Sequence, residues 1–486
     1  MTKPLKQITA EYHSIAAPAA YAGNPLIEAL PNIFSEDYVT KELRYIPDVG
    51  TALELALPPH ERIHCVSAIE DLVIPLPLAF DVEVALSVLI RRGYAARNPF
   101  NREWRRLHCK IKKTMSEPLE EYQVRSKSVP AIMTTAVSGN GKTTLIESLL
   151  EMYSQVIIHT DYKGESFAVK QLVWIGVNAS FDASLRGLIL SMFGAVDDAL
   201  GTDYRQQYDK GTRTRDTMIG NLAQVFATHH LGVLFVDEIQ CLLLRGDHEA
   251  ELALSFFLKI ANVCKVPIVF SGTYAAVRLF SKVARNARRV CSGGYFDLAL
   301  PSRFDDVVWD KLVVEVVWKK FQWVKKPAPL TDELRKQIFN LSQGIMAIFI
   351  ALHRAAQVYA IRHNLDTVDS KVLKDVYDRQ FIPMHQALAA LRSGKKNRLE
   401  KFEDLLPPKE QLDALLRPDN SELLAERIER LLAANHKAAE NASAQAPSPE
   451  LKKQNDAAQA TAELLKKIGS NADLRELARR AGLMEG

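Results

Sequence analysis

Residues 136–143 read Ala-Val-Ser-Gly-Asn-Gly-Lys-Thr, a glycine-bearing loop between the apolar run Ala131–Ala136 and a helix-forming run from Lys142 to Glu151. A strand that ends in such a loop and opens a helix directs backbone N–H groups, and the positive end of the helix dipole, at one point. That geometry suits an anion, and the spacing predicts nucleotide phosphates. Gly139 and Gly141 let the backbone approach closely, Lys142 reaches the β- and γ-phosphates, and the Thr143 hydroxyl is placed for magnesium. Ser138, Asn140 and Thr144 complete the expected binding set, although the position of Thr144 also suits helix packing. Ala136 stands where the usual pattern has its first glycine, and a small side chain there still closes the turn. ATP with Mg2+ is the expected ligand pair.

A phosphate loop acts with acids on a second strand. Val233 to Glu238 reads Val-Leu-Phe-Val-Asp-Glu, an apolar run ending in two carboxylates. Asp237 can hold magnesium through water, and Glu238 can orient and activate the attacking water. The plainer alternative is an acid pair that caps a strand. Ser271-Gly272-Thr273 ends the next apolar run. A hydroxyl there, Thr273 in preference to Ser271, can sense the γ-phosphate, or the segment is simply a turn. Arg285, Arg288 and Arg289 follow. An arginine offered to a neighbouring subunit's γ-phosphate would stabilise transition-state charge, with Arg288 and Arg289 the expected candidates. A solvated basic helix face is the alternative.

With 486 residues the chain is too long for one core. Residues 116–320 alternate apolar runs with helical spacing: strands at 131–136, 155–159, 171–177, 232–237 and 266–271, and helices at 142–151, 184–200, 216–229 and 250–263. This predicts an α/β nucleotide-binding domain with a parallel sheet covered on both faces. Residues 1–115 are expected as an N-terminal extension, the first 35 as an extended arm, closing in a basic patch from Arg91 to Lys113. Residues 321–410 read as an all-helical lid, with a helix start at Thr331-Asp332-Glu333. Residues 411–486 read as a flexible tail: a linker over 435–461, then short amphipathic helices at 462–468 and 472–483.

Bulk composition narrows the class. A 47% hydrophobic and 25% charged chain with net charge +4 is an ordinary globular one whose overall charge selects no partner. The five cysteines form no CxxC pair, which argues against a disulfide framework or zinc knuckle and fits a reducing cytoplasm. No signal-peptide core follows Met1, and no apolar run reaches the length of a membrane span, so a cytoplasmic location is expected.

Several separated segments carry a family resemblance. They are Asn24-Pro25-Leu26-Ile27-Glu28-Ala29-Leu30-Pro31, Arg92-Gly93-Tyr94 with Arg97-Asn98-Pro99, the loop Ser138 to Thr144, and Val236-Asp237-Glu238-Ile239-Gln240. Ser342-Gln343-Gly344, Pro383-Met384-His385 and Ala390-Leu391-Arg392-Ser393-Gly394 extend it. With these, the chain resembles the AAA+ transposition regulators of the TnsC family, with a more distant likeness to TniB and MuB. The resemblance implies an AAA+ fold with a helical lid, ATP binding, and assembly as a ring or filament on duplex DNA. It also implies partners: transposase subunits of the TnsA and TnsB kind, and a target selector of the TnsD or TniQ kind. ATP turnover in that family controls assembly and disassembly. One departure is clear: Ile345-Met346-Ala347 follows Gly344, where many AAA+ proteins carry a lid arginine.

A ring around DNA needs basic side chains that touch phosphates without reading bases. Lys210, Arg213 and Arg215, in a polar loop between two expected helices, are favoured, with Lys170 and Lys163 flanking a second polar stretch. The Arg91–Lys113 patch, interleaved with Phe100 and Trp104, offers another surface for DNA or an acidic partner, or a set of solvated helix faces. Two other functions share the phosphate motifs: a replication-initiator or helicase-loader ATPase, and a nucleotide-binding signalling scaffold. The first predicts a winged-helix domain after the lid, and the second predicts long C-terminal repeats.

Overall fold

The computed structural model describes residues 7–14, 18–113, 129–179, 184–209, 214–281, 291–393, 395 and 428–433. The described chain groups into two compact units: residues 1–42, 80–138 and 142–298, and residues 43–79, 139–141 and 299–486.

The first unit is built on five parallel strands in the order β5-β6-β7-β2-β8. These are β2 Ala131–Ala136, β5 Trp174–Asn178, β6 Val233–Asp237, β7 Ile268–Gly272 and β8 Gly294–Leu298. The three central strands β6, β7 and β2 are buried along their whole length, as expected when helices cover both faces. Helix Leu185–Leu200 starts where the Ser184 hydroxyl accepts from Gly187 N and stops at Gly201, at φ +69°. It packs Leu188, Ile189, Met192, Phe193 and Val196 into the same core as Phe226 and Phe257. Phe257 meets Phe270 of β7 edge-on at 5.7 Å. Because β7 lies between β6 and β2, the carboxyl ends of these three strands stand side by side on one edge of the sheet. Ligands bind at such an edge in open parallel sheets.

A second sheet has the order β1-β3-β4: β1 Gln7–Thr9, parallel to β3 Val156–Tyr162, and β4 Glu165–Leu172, antiparallel to β3. The sequence reading expects strands at 155–159 and 171–177 with a polar stretch between them. The structure instead makes that stretch the arms of a hairpin, turned through Lys163 and Gly164, both at positive φ. The expected extended arm also differs. Leu26 and Ile27 are fully buried, and Asn24 Nδ2 donates to Tyr94 O at 2.8 Å.

The basic patch is divided by the fold. Arg91 and Arg97 are buried, at 2% and 1% exposure. Arg91 donates to Ser87 Oγ and Pro31 O, each at 2.5 Å. Arg97 donates to Gly93 O at 2.9 Å, Leu231 O at 2.5 Å and Gly232 O at 3.4 Å. Both therefore fasten loops, and neither contributes to a basic surface. Helix Arg102–Lys113 buries Trp104 and Ile111 and exposes Arg102, Arg105 and Arg106.

The second unit is helical. Helices Asp332–Ser342, Met346–Arg362 and Ser370–Gln380 match the expected helical stretch, and Thr331 caps the first by accepting from Leu334 N. Its core gathers Trp309, Phe321, Trp323, Phe349 and Leu352. His353 is wholly buried, packs edge-on against Trp318 at 5.1 Å and donates from Nε2 to Phe321 O at 2.7 Å. Residues 43–79 add short helices, and Trp323 Nε1 donates to Glu54 Oε2 at 3.1 Å. The loop residues 139–141 group here, Gly139 O accepting from Ala347 N at 3.0 Å. Residues 428–433 are helical, and the expected linker and tail helices beyond them lie outside the described residues. Among the described residues no single helix is long and apolar enough to cross a membrane.

Candidate nucleotide site

Gly139 and Gly141 take φ values of +82° and +81°, a backbone that side chains disfavour, and helix Lys142–Leu150 begins directly after them. Asn140 is buried, whereas Ser138 and Thr144 are exposed, so Thr144 does not pack in the core. Lys142 is 4% exposed, and its Nζ lies 3.1 Å from Glu238 Oε1. The Thr143 hydroxyl donates to Asp237 Oδ2 at 2.6 Å. The fold thus brings Lys142 and Thr143 together with Asp237 and Glu238 from a strand about ninety residues later, at the strand edge that the topology prepares.

Local backbone aims the acids. Asp237 ends β6, its Oδ1 accepting from Glu238 N at 2.9 Å. Glu238 takes a left-handed conformation at φ +53° and turns the chain into the 3-10 helix Ile239–Arg245. That turn returns Gln240 toward Glu238, and the Gln240 Nε2 donates to Glu238 Oε2. Thr273 is 2% exposed just beyond β7, and its N donates to Gln240 Oε1 at 3.0 Å. Ser271 is fully buried within β7.

Next to the loop strand lies a second polar group. Tyr274 OH donates to Asp297 Oδ1 at 2.7 Å, and the Thr135 hydroxyl donates to Tyr295 OH at 2.7 Å. Burial pushes the Asp297 carboxyl above the usual carboxylate range. Tyr274 follows Thr273 directly, so the end of β7 is held from the β6 side by Gln240 and from the β8 side by Asp297. Neither Gln240 nor Asp297 is legible as a site residue in the sequence. The signals are the place of Gln240 three residues after Asp237 and its membership of the segment Val236-Asp237-Glu238-Ile239-Gln240 that carries the family resemblance.

The donor set fits ATP and Mg2+. A buried ammonium held by a carboxylate oxygen can exchange that partner for phosphate oxygens, as the phosphate-loop lysine does. A hydroxyl and a carboxylate 2.6 Å apart are hard oxygen donors of the kind that Mg2+ takes beside nucleotide phosphates. Among the described residues no group of three or more His, Cys, Asp and Glu is placed to hold a metal alone.

Arg285, Arg288 and Arg289, and Lys210 and Arg213, lie outside the described residues. Arg215 is the first residue of helix Arg215–Thr228. Lys170 is exposed on β4, paired in register with Ile158.

Residues 126–280 match the family model of an AAA domain. No curated protein matches the chain. Among solved structures the chain is similar to the RuvB Holliday junction branch migration motor of Thermotoga maritima, at 15% identity and TM-score 0.28 over 55% of this chain and 68% of that one. It is likewise similar to a structure described as the structural basis for katanin self-assembly, at 14% identity and TM-score 0.28 over 57% of this chain and 80% of that one. Likenesses this distant carry no functional argument, so the assignment rests on the family model and on the sheet with its phosphate loop and paired acids. The chain carries an AAA+ P-loop ATPase domain.

Proposed function

We propose that the chain is an ATP-dependent regulator of DNA transposition that oligomerises on duplex target DNA and links a target selector to a transposase. The observation that supports the ATPase part is the convergence of Lys142, Thr143, Asp237 and Glu238. The transposition part rests on the resemblance carried by the segments between Asn24 and Gly394. Several of them meet in the fold: Asn24 bonds to Tyr94 O, Asn98 Nδ2 donates to Gly23 O at 2.9 Å, and Arg97 holds the approach to β6.

In this reading Lys142 leaves Glu238 for the β- and γ-phosphate oxygens, which frees Glu238 Oε1 to orient water and take its proton. Mg2+ supplies neutralisation of the charge that builds on the phosphate oxygens. Thr143 and Asp237 would hold the ion, Asp237 through water, and Thr273 would sense the γ-phosphate. Arg288 or Arg289 completes the site of a neighbouring subunit, so turnover is tied to assembly. Lys210, Arg213, Arg215 and Lys170 meet DNA phosphates, and transposase subunits of the TnsA and TnsB kind and a selector of the TnsD or TniQ kind bind the assembly.

Fluorescence anisotropy of labelled duplexes tests this, with and without a non-hydrolysable ATP analogue. The reading expects nucleotide-dependent binding that varies little with sequence and weakens with salt. Reversing charge at Lys210, Arg213 and Arg215 should weaken it uniformly and flatten the salt slope by about one unit per lost phosphate contact. Binding that ignores nucleotide contradicts the coupling, and an unchanged salt slope moves the DNA surface elsewhere. Capture of a replicative helicase in place of transposase subunits would favour the loader alternative.

A further inference from the structure

Among the described residues Glu238 has one partner for each carboxylate oxygen. Lys142 Nζ takes Oε1 at 3.1 Å, and Gln240 Nε2 donates to Oε2. The other end of the same amide accepts from Thr273 N at 3.0 Å. The chemistry fixes the orientation of this amide. A backbone N–H can only donate, so Oε1 must face Thr273, which leaves Nε2 toward Glu238. The link also depends on a glycine. A Cβ at Gly272 would stand 2.6 Å from Gln240 Oε1 and 2.9 Å from Ile239 Cγ2. Gln240 returns to this place because Glu238 adopts the left-handed conformation, an uncommon one for a residue with a side chain.

We infer that Gln240 is a positioning residue that fastens Glu238 to the end of β7, so that the water-orienting carboxylate and the Thr273 turn move as one. Lys142 is a partner that ATP competes for, since phosphate oxygens draw the ammonium away. Gln240 is the partner that remains, and it aims the carboxylate while Oε1 is released. It also gives a change at Thr273 a direct route to Glu238, through one side chain and two hydrogen bonds.

This inference rests on the ATPase reading, and steady-state ATP turnover by the full chain tests it. Gln240→Leu leaves a branched apolar side chain one methylene shorter and removes both hydrogen bonds. It should lower kcat about a hundredfold, the scale of a misplaced catalytic group, with KM for ATP within about twofold of the parent. Gly272→Ala pushes the amide aside without touching it chemically and should reproduce the same split between kcat and KM. Gln240→Glu keeps the size of the side chain and an acceptor toward Thr273 N but replaces the amide donor to Glu238 with a carboxyl oxygen. It should lower kcat as Gln240→Leu does while KM stays near the parent's, a split that a purely structural role would not produce. Nucleotide affinity and melting temperature confirm folding, and if Gln240→Leu fails to fold, the kcat and KM of the isosteric Gln240→Glu decide. A parent with turnover and an unchanged kcat in Gln240→Leu or in Gln240→Glu overturns the inference alone. A parent without turnover overturns the ATPase reading and this inference with it.

Discussion

The Thr143 hydroxyl donates to Asp237 Oδ2 at 2.6 Å, joining the first turn of the loop helix to the end of β6. In the proposed reaction Thr143 and Asp237 would hold the magnesium ion, Asp237 through water. Thr143→Val keeps the shape and removes the donor. It should raise the Mg2+ concentration for half-maximal turnover by about 10-fold, the lower end for loss of a metal-site contact, and leave the melting temperature nearly unchanged. A magnesium titration of ATPase rate checks it, and an unshifted curve removes Thr143 from the metal site.

Glu238 and Lys142 predict opposite defects. Glu238→Gln keeps an oxygen near Lys142 and loses the base, so ATP binding and assembly should persist while kcat falls about 10²-fold or more. Lys142→Ala removes the phosphate-binding charge and leaves a carboxylate in its place, so nucleotide affinity should fall. Calorimetric titration of an ATP analogue separates them, and equal affinity in parent and Lys142→Ala would contradict the loop assignment.

Arg97 should matter for stability. Burial lowers its pKa to about 10, so it stays charged at neutral pH while donating to three carbonyls. Arg97→Met leaves Leu231 O and Gly232 O without that charged donor and should cost roughly 3 kcal/mol in urea unfolding, the scale of a charge-assisted hydrogen bond lost in the interior. Arg97→Lys should recover only part of it, because an ammonium lacks the planar fork. A variant as stable as the parent would make Arg97 an incidental contact.

The parts of this molecule legible in the sequence are those fixed by neighbouring residues. The loop at 136–143 and the acids at 237 and 238 are recognisable because strand, turn and helix must follow in that order, and β2, the loop helix and β6 begin and end within a residue of expectation. Arg91 and Arg97 are not legible, since a run of arginines reads as surface until the carbonyls of Pro31, Leu231 and Gly232 are brought to them by distant chain. The β3–β4 hairpin escapes because polar residues and glycine dominate Thr160 to Ser166 and its turn depends on the left-handed pair Lys163 and Gly164. Gln240 escapes for a topological reason. Only the insertion of β7 between β6 and β2 sets Thr273 beside it, and strand order is not written in any one segment.

His353 sets a pH limit on the second unit. Burial lowers its pKa from 6.5 to about 4, with the bond to Phe321 O acting in the opposite direction. Between these values the unfolded chain takes up a proton that the folded chain refuses, so stability is full above pH 6.5 and falls as pH drops toward 4. The loss by pH 5 should be about 2 kcal/mol. His353→Gln removes the titrating group, and its melting temperature should fall less than the parent's between pH 7 and pH 5. Parallel curves would assign the acid sensitivity to other groups.

The central claim is that the site built from Lys142, Thr143, Asp237 and Glu238 governs assembly on DNA. Electron microscopy of the full chain with duplex DNA, with and without a non-hydrolysable ATP analogue, tests it most directly. The account predicts rings or filaments on DNA with the analogue and none without it, and Glu238→Gln should give the same assemblies with ATP itself. Particles that never assemble on DNA, or that assemble equally without nucleotide, would contradict it.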